Sequence, residues 1–182
     1  MKLSSVSGEL GSMSLHIRRI RADEWHRLRA LRLQALADAP TAFASTLARE
    51  EAFSDDVWQE RAARAAVGVD RVTFIAEEGG RWLGLASGLF AVQADLDEAF
   101  PTLVGMFVDK SARQRGIGAA LVERIARWTQ ARGGGRLVLW VTSSNQAAIA
   151  LYRRCGFEST GSTRPVAHTP ACTEHEMVRN LK

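Results

Sequence analysis

A chain of 182 residues, 46% hydrophobic and 24% charged, is long enough for one domain with a packed core. It carries no apolar run near the roughly 20 residues that span a bilayer, no apolar secretory segment at its start, and two cysteines, Cys155 and Cys172, in neither CxxC nor metal spacing, which fits a reducing cytoplasm without a metal. The net charge of +4 is almost wholly Arg, interleaved with Asp and Glu rather than clustered with aromatics, which argues for a polyanionic small ligand over nucleic acid; with no spanning run, no membrane partner is expected.

Residues 1–14 are Ser- and Gly-rich and aperiodic. Gly11-Ser12-Met13 resembles a junction followed by a second start, so 1–14 are expected to be a disordered leader or tag and 15–182 the domain. Residues 16–20 read as a first strand. Asp23 is placed to cap a helix over 24–37, in which Trp25, Leu28, Leu31 and Leu36 recur at helical spacing. Asp38-Ala39-Pro40 ends it. Ser54-Asp55-Asp56 opens a second helix to about residue 66, acidic in its first turn and basic in its last. Segments 72–76 and 82–89 read as strands joined through Glu78-Gly79-Gly80-Arg81. An acidic connection, 91–100, leads to the apolar run 102–108, a central strand. A helix over 119–131 follows, stopped by Gly133-Gly134-Gly135. Then come a strand over 137–141, a helix over 145–154, and closing strands over 157–163 and 174–181. This order, βααβββαβαββ, predicts an α/β (α+β) fold whose sheet is part antiparallel and part parallel, with helices on its faces.

The stretch Arg113-Gln114-Arg115-Gly116-Ile117-Gly118 lies between the strand 102–108 and the helix that follows. A strand feeding a Gly-rich turn that opens a helix places unpaired N–H groups and the positive end of the helix dipole beside an anion. Two arginines add forked donors. The turn lacks the Gly-Lys-Ser/Thr of a Walker loop and the spacing of GxGxxG. An Arg-rich loop that merely starts a helix is the other reading. Asn145 and Tyr152, seven residues apart, share a face of the next helix. The strands feeding both helices are expected to lie side by side, so both helix starts open onto one crevice.

The block Met106-Phe107-Val108, then Arg113-x-x-Gly116-x-Gly118, then Asn145-x-x-Ala148-Ile149-x-Leu151-Tyr152-x-x-x-Gly156-Phe157 resembles the GNAT superfamily of acyl-CoA N-acyltransferases. The element order is similar from Leu15 onward. The resemblance implies a mixed, mostly antiparallel sheet of six to seven strands, flanked by about four helices, with splayed central parallel strands. It implies acetyl-CoA as cosubstrate, its pantetheine arm pairing with backbone at Met106 and Val108 as an added strand. It places the pyrophosphate on the amides of Gln114, Arg115, Gly116, Ile117, Gly118 and Ala119, with charge from Arg113 and Arg115, or with Arg115 facing the adenosine phosphate or solvent instead, and gives Asn145 a hydrogen bond to the arm. An N–H at Met106 or Phe107 would polarise the thioester. Tyr152 would be the general acid for the leaving thiolate. A packed aromatic is the other reading of Tyr152.

One departure stands out. The family's strand Glu, a base for the amine, is matched here by Thr102, which cannot serve near neutral pH. Glu98, His168, Glu174 and Glu176 are the alternative proton acceptors. Cys155 is expected to be structural. The reading is a cytoplasmic acetyl-CoA-dependent N-acetyltransferase acting on a primary amine, with a small-molecule acceptor favoured. Asp95-Leu96-Asp97-Glu98 leans toward a cationic acceptor. A protein N-terminus or lysine is one alternative, and a non-catalytic acyl-CoA sensor is another. A homodimer is left open.

Overall fold

The computed structural model describes residues 14–92, 99–166 and 168–182. The expected leader, apart from Ser14, and the acidic segment 95–98 lie outside the described residues. The chain runs β1 (His16–Arg19), α1 (Trp25–Asp38), α2 (Leu47–Glu51), α3 (Asp55–Val67), β2 (Arg71–Glu78), β3 (Arg81–Val92), β4 (Ala99–Val108), α4 (Ile117–Gln130), β5 (Arg136–Thr142), α5 (Gln146–Arg154), β6 (Glu158–Val166) and β7 (Thr169–Asn180). The sheet order is β1-β2-β3-β4-β5-β7-β6. Every neighbouring pair is antiparallel except β4 with β5. Among the described residues, no helix is long and apolar enough to cross a membrane.

Local chemistry accounts for the boundaries. Gly79 and Gly80 have φ of +55° and +76°, the left-handed pair that a two-residue hairpin between Glu78 and Arg81 requires. Strand alternation then fills two cores. Val72, Phe74, Ala76, Leu83 and Leu103 face α4 and α5, where Leu121, Val122 and Ile125 bury one helix face. Ile75, Leu85 and Phe107 face α1 and α3, against Leu28, Leu31, Leu36 and Trp58.

Two local readings are corrected. Asp23 does not cap α1: it lies within a single 3-10 turn, Ala22–Glu24, that precedes the helix. Glu24 is buried and accepts hydrogen bonds from the Arg18 guanidinium at 2.6 and 2.9 Å. The short α2 was not anticipated, because five residues cannot display a helical period. Thr46 starts it by accepting from Arg49 N at 3.3 Å. Its Glu50, 2% exposed, takes Arg32 at 2.8 Å and Arg61 at 3.1 Å. Burial pushes its carboxyl up, but Arg32, then Ser45 and Arg61, hold it below its usual range.

Candidate active site

The site begins with a glycine. Across β3 and β4 the register runs from Ser87↔Val104 to Leu85↔Phe107, so β4 carries one extra residue. Gly105 occupies this bulge with φ +64°. A Cβ there would meet nothing nearer than Arg32 Nη1 at 4.0 Å, so backbone torsion rather than crowding selects glycine. Beyond the bulge β4 leaves its parallel neighbour. Among the described residues, Thr102↔Val138 is the one register pair that joins β4 to β5.

The gap this opens is lined by backbone. Asp109 N donates to Leu83 O at 2.8 Å, which fixes the phase of the β3–β4 ladder. By that alternation Phe107 faces Leu85, while the Met106 carbonyl and both backbone groups of Val108 turn toward β5. Val108 O accepts from Arg113 Nε at 3.1 Å.

The turn after β4 is held from both ends. Asp109 Oδ1 accepts from Ser111 N at 2.8 Å, and Oδ2 accepts from Gln34 Nε2 of α1 at 2.8 Å. Gln114 and Gly116 both have positive φ, +63° and +77°. Gly116 starts α4 without a side-chain cap, and the first intrahelical bond runs from Ala120 N to Gly116 O at 3.0 Å. The amides of Ile117, Gly118 and Ala119 therefore point out of the helix start. Arg113 and Arg115 are exposed, and Arg115 grips Glu78 with two bonds of 2.6 and 3.1 Å. Gly118 serves helix packing: a Cβ there would lie 2.9 Å from Leu151 Cδ2 on α5.

Parallel β4 and β5 send α4 and α5 off from the same end of the sheet. Asn145 is the cap of α5 rather than a member of it, its Oδ1 accepting from Ala148 N at 3.2 Å. The side-chain amide N–H groups remain available as donors. Tyr152 is buried on α5 and packs edge-on against Phe157, with ring centroids 5.8 Å apart. Among the described residues its hydroxyl has no hydrogen-bond partner. Burial, with a smaller contribution from Cys155, pushes the phenol far above its ordinary pKa, so it holds its proton. The half-buried Cys155 thiol is likewise pushed up by burial.

On the opposite face of β4 lies a cavity of about 440 Å³. Its floor is β2, β3 and β4 through Thr73, Ser87, Thr102 and Val104, and α1, α3 and the loop before α2 wall it. Thr102 donates to Phe100 O at 3.1 Å. Thr73 and Ser87, paired in register, share a 2.7 Å hydroxyl contact. Glu174, 6% exposed, accepts from Arg164 Nε at 2.8 Å, and Arg164 stacks on Trp140 at 4.0 Å from its centroid. Of the four proton acceptors considered, Glu174 lines the cavity. His168 contacts Pro40 O at 3.1 Å and Glu176 accepts from Thr160 at 2.7 Å, both away from it; Glu98 lies outside the described residues. The arginines of this cavity, Arg32, Arg61, Arg71 and Arg164, were not singled out from sequence, because they lie on four separate elements, α1, α3, β2 and β6.

The Acetyltransferase (GNAT) family model matches residues 30–157. The chain is 35% identical over 126 residues to the [ribosomal protein bS18]-alanine N-acetyltransferase of Salmonella typhimurium (strain LT2), covering 65% of this chain and 82% of that protein. Its fold is similar to a GNAT-family acetyltransferase from Streptococcus pneumoniae, with a TM-score of 0.76 and 24% identity over 93% of this chain and 100% of that one. It is also similar to the PaiA N-acetyltransferase of Thermoplasma acidophilum in complex with coenzyme A, with a TM-score of 0.70 and 14% identity over 92% and 99% of the two chains. The chain belongs to the GNAT family of N-acetyltransferases.

Proposed function

We propose that this N-acetyltransferase uses acetyl-CoA to acetylate a primary amine of a small molecule by direct attack. The observation that carries the reading is the meeting of two spaces at Gly105. On one side is the gap between β4 and β5, lined by backbone of Met106 and Val108 and capped by the open start of α4. On the other is the cavity of about 440 Å³, within the range of sites that enclose a small molecule.

The donor half follows from these groups. The Met106 and Val108 backbone pairs with the pantetheine arm, and the Asn145 side-chain amide donates to it. The pyrophosphate rests on the amides from Gln114 to Ala119, where two left-handed residues shape the turn. Arg113 and Arg115 add positive charge at its mouth, Arg115 while paired with Glu78. Phe107 N–H is committed to β3, which leaves Met106 N–H to meet the thioester oxygen as it gains charge. Tyr152, kept protonated by burial, supplies a proton to the departing thiolate. Glu174 takes the amine proton through solvent in the cavity.

A protein N-terminus is the second reading, favoured by the likeness to an enzyme named for acetylating an alanine of a ribosomal protein. Thiol release from acetyl-CoA with a panel of small amines and of short peptides tests both. Faster release with small amines supports the reading, and release with peptides alone overturns it. Acetyl-CoA binding without release for any acceptor would leave a sensor.

A further inference from the structure

We propose that Arg71 holds a carboxylate of the acceptor, so that the acetylated amine belongs to a molecule carrying an acid group some bonds away. This rests on reading the cavity beside Gly105 as the acceptor site. Arg71 opens β2 and lines the cavity floor, in one cross-sheet row with Leu89 and Thr102. Its Nε is buried without a hydrogen-bond partner.

The surrounding charges leave it unbalanced. Arg61 and Arg64 repel it, and Asp70 and Glu60 attract it more weakly. Asp70 is bonded to Arg64, which also meets Glu60 at 3.6 Å. Glu50 is divided between Arg32 and Arg61, and Glu174 belongs to Arg164. Three of the four cavity arginines thus have a carboxylate, and among the described residues Arg71 has none. A half-buried cation whose Nε is sealed from solvent without a partner costs folding free energy that a bound anion offsets. The planar fork of Arg suits a carboxylate's two oxygens. The bonded Thr73 and Ser87 hydroxyls lie two residues along the same floor, and the second proton of the pair offers a further donor.

The placement also sets the shape of the ligand. Arg71 is two strands away from β4, and Gly105 is three residues beyond the Arg71 row along β4. The acid group and the attacking amine therefore bind at separate ends of the floor, joined by a spacer.

The test pairs ω-amino carboxylates of two to six carbons with n-alkylamines of equal length, using thiol release from acetyl-CoA. At the best length the carboxylate is expected to raise kcat/KM by about tenfold or more, since a site built for a polar group rejects the analogue lacking it. Arg71→Gln erases that preference and Arg71→Lys keeps part of it. Equal rates within each pair, or a preference that survives Arg71→Gln, overturns the proposal. So does faster release with C-terminally amidated peptides than with every amino carboxylate. Calorimetric titration of the best amino carboxylate into CoA-loaded protein reads the same contact without turnover. Binding that Arg71→Gln abolishes supports the carboxylate site even where no thiol is released, and in that case the transferase reading of the small amine fails alone. No binding to the wild type overturns the carboxylate site.

Discussion

Leu103 and Phe107 lie four residues apart on one strand and face opposite sides of the sheet, Leu103 toward α4 and Phe107 toward α1. In an unbroken strand they would share a face. The extra residue at the Gly105 bulge reverses the alternation, so the first part of β4 turns Thr102 and Val104 to the cavity while Met106 and Val108 pack toward α4 and α5. Gly105→Ala has room for its methyl group and tests the torsion alone. It should cost about 1–2 kcal/mol of stability, the range for a non-glycine residue forced left-handed. It should also depress kcat beyond what that loss explains. Urea unfolding and steady-state kinetics on one preparation measure both.

Tyr152→Phe should lower kcat by roughly 10²-fold, the lower range for losing a general acid, and leave acetyl-CoA affinity within about twofold. Stability should barely change, because no hydrogen bond to the hydroxyl is given up among the described residues. Because burial holds the phenol proton, the wild-type rate should show no loss from Tyr152 ionisation up to about pH 9. Wild-type turnover in the variant would remove the acid role.

Gly118 and Leu151 form a contact that a double-mutant cycle can isolate. Gly118→Val drives a side chain into Leu151 and should destabilise by about 1–3 kcal/mol, the usual cost of overpacking. Adding Leu151→Ala should recover part of that loss, although Leu151→Ala alone destabilises. Thermal midpoints of the four proteins give the coupling; strict additivity would place the strain elsewhere.

Acid should unfold the protein through two carboxylates in particular. Burial works against ionised Glu24, but bonds from Arg18 and the Arg21 N–H outweigh it and hold its pKa at about 2. Ser111, then Gln34, hold Asp109 at about 2. Unfolded carboxyls titrate near pH ~4, so both groups bind protons less readily when folded. The stability they add is complete above about pH 4.5 and is lost as pH falls toward 2. The thermal midpoint should change little from these groups between about pH 7 and 5 and drop below about 4. Glu24→Gln and Asp109→Asn should each lower the plateau and flatten the acid limb.

The elements are legible because Gly, Pro and acidic residues mark many of their ends, β4 and β5 are short apolar runs, and α4 and α5 bury one clear face. The run 102–108 reads locally as a central strand and the Gly-rich turn as a helix start, and both are so placed. The bulge has a readable sign, a lone glycine inside an apolar strand, but that sign does not say which residue is extra. The Glu50 cluster and Arg71 had none. Glu50 meets Arg32 across 18 residues, and Arg71 matters through the absence of a partner, which only tertiary structure shows. Asn145 reads as the first residue of the helix and is instead its cap, because the capping geometry depends on the turn that leaves β5.

The 2.8 Å bond from Gln34 to Asp109 joins the helix that walls the cavity beside Gly105 to the turn that opens α4. An occupant that shifts α1 by a few tenths of an ångström must stretch this bond or carry the turn with it. The two ends of the enzyme then share one free energy. Whatever factor the first ligand imposes on the affinity of the second, the second imposes on the first, in either order of addition.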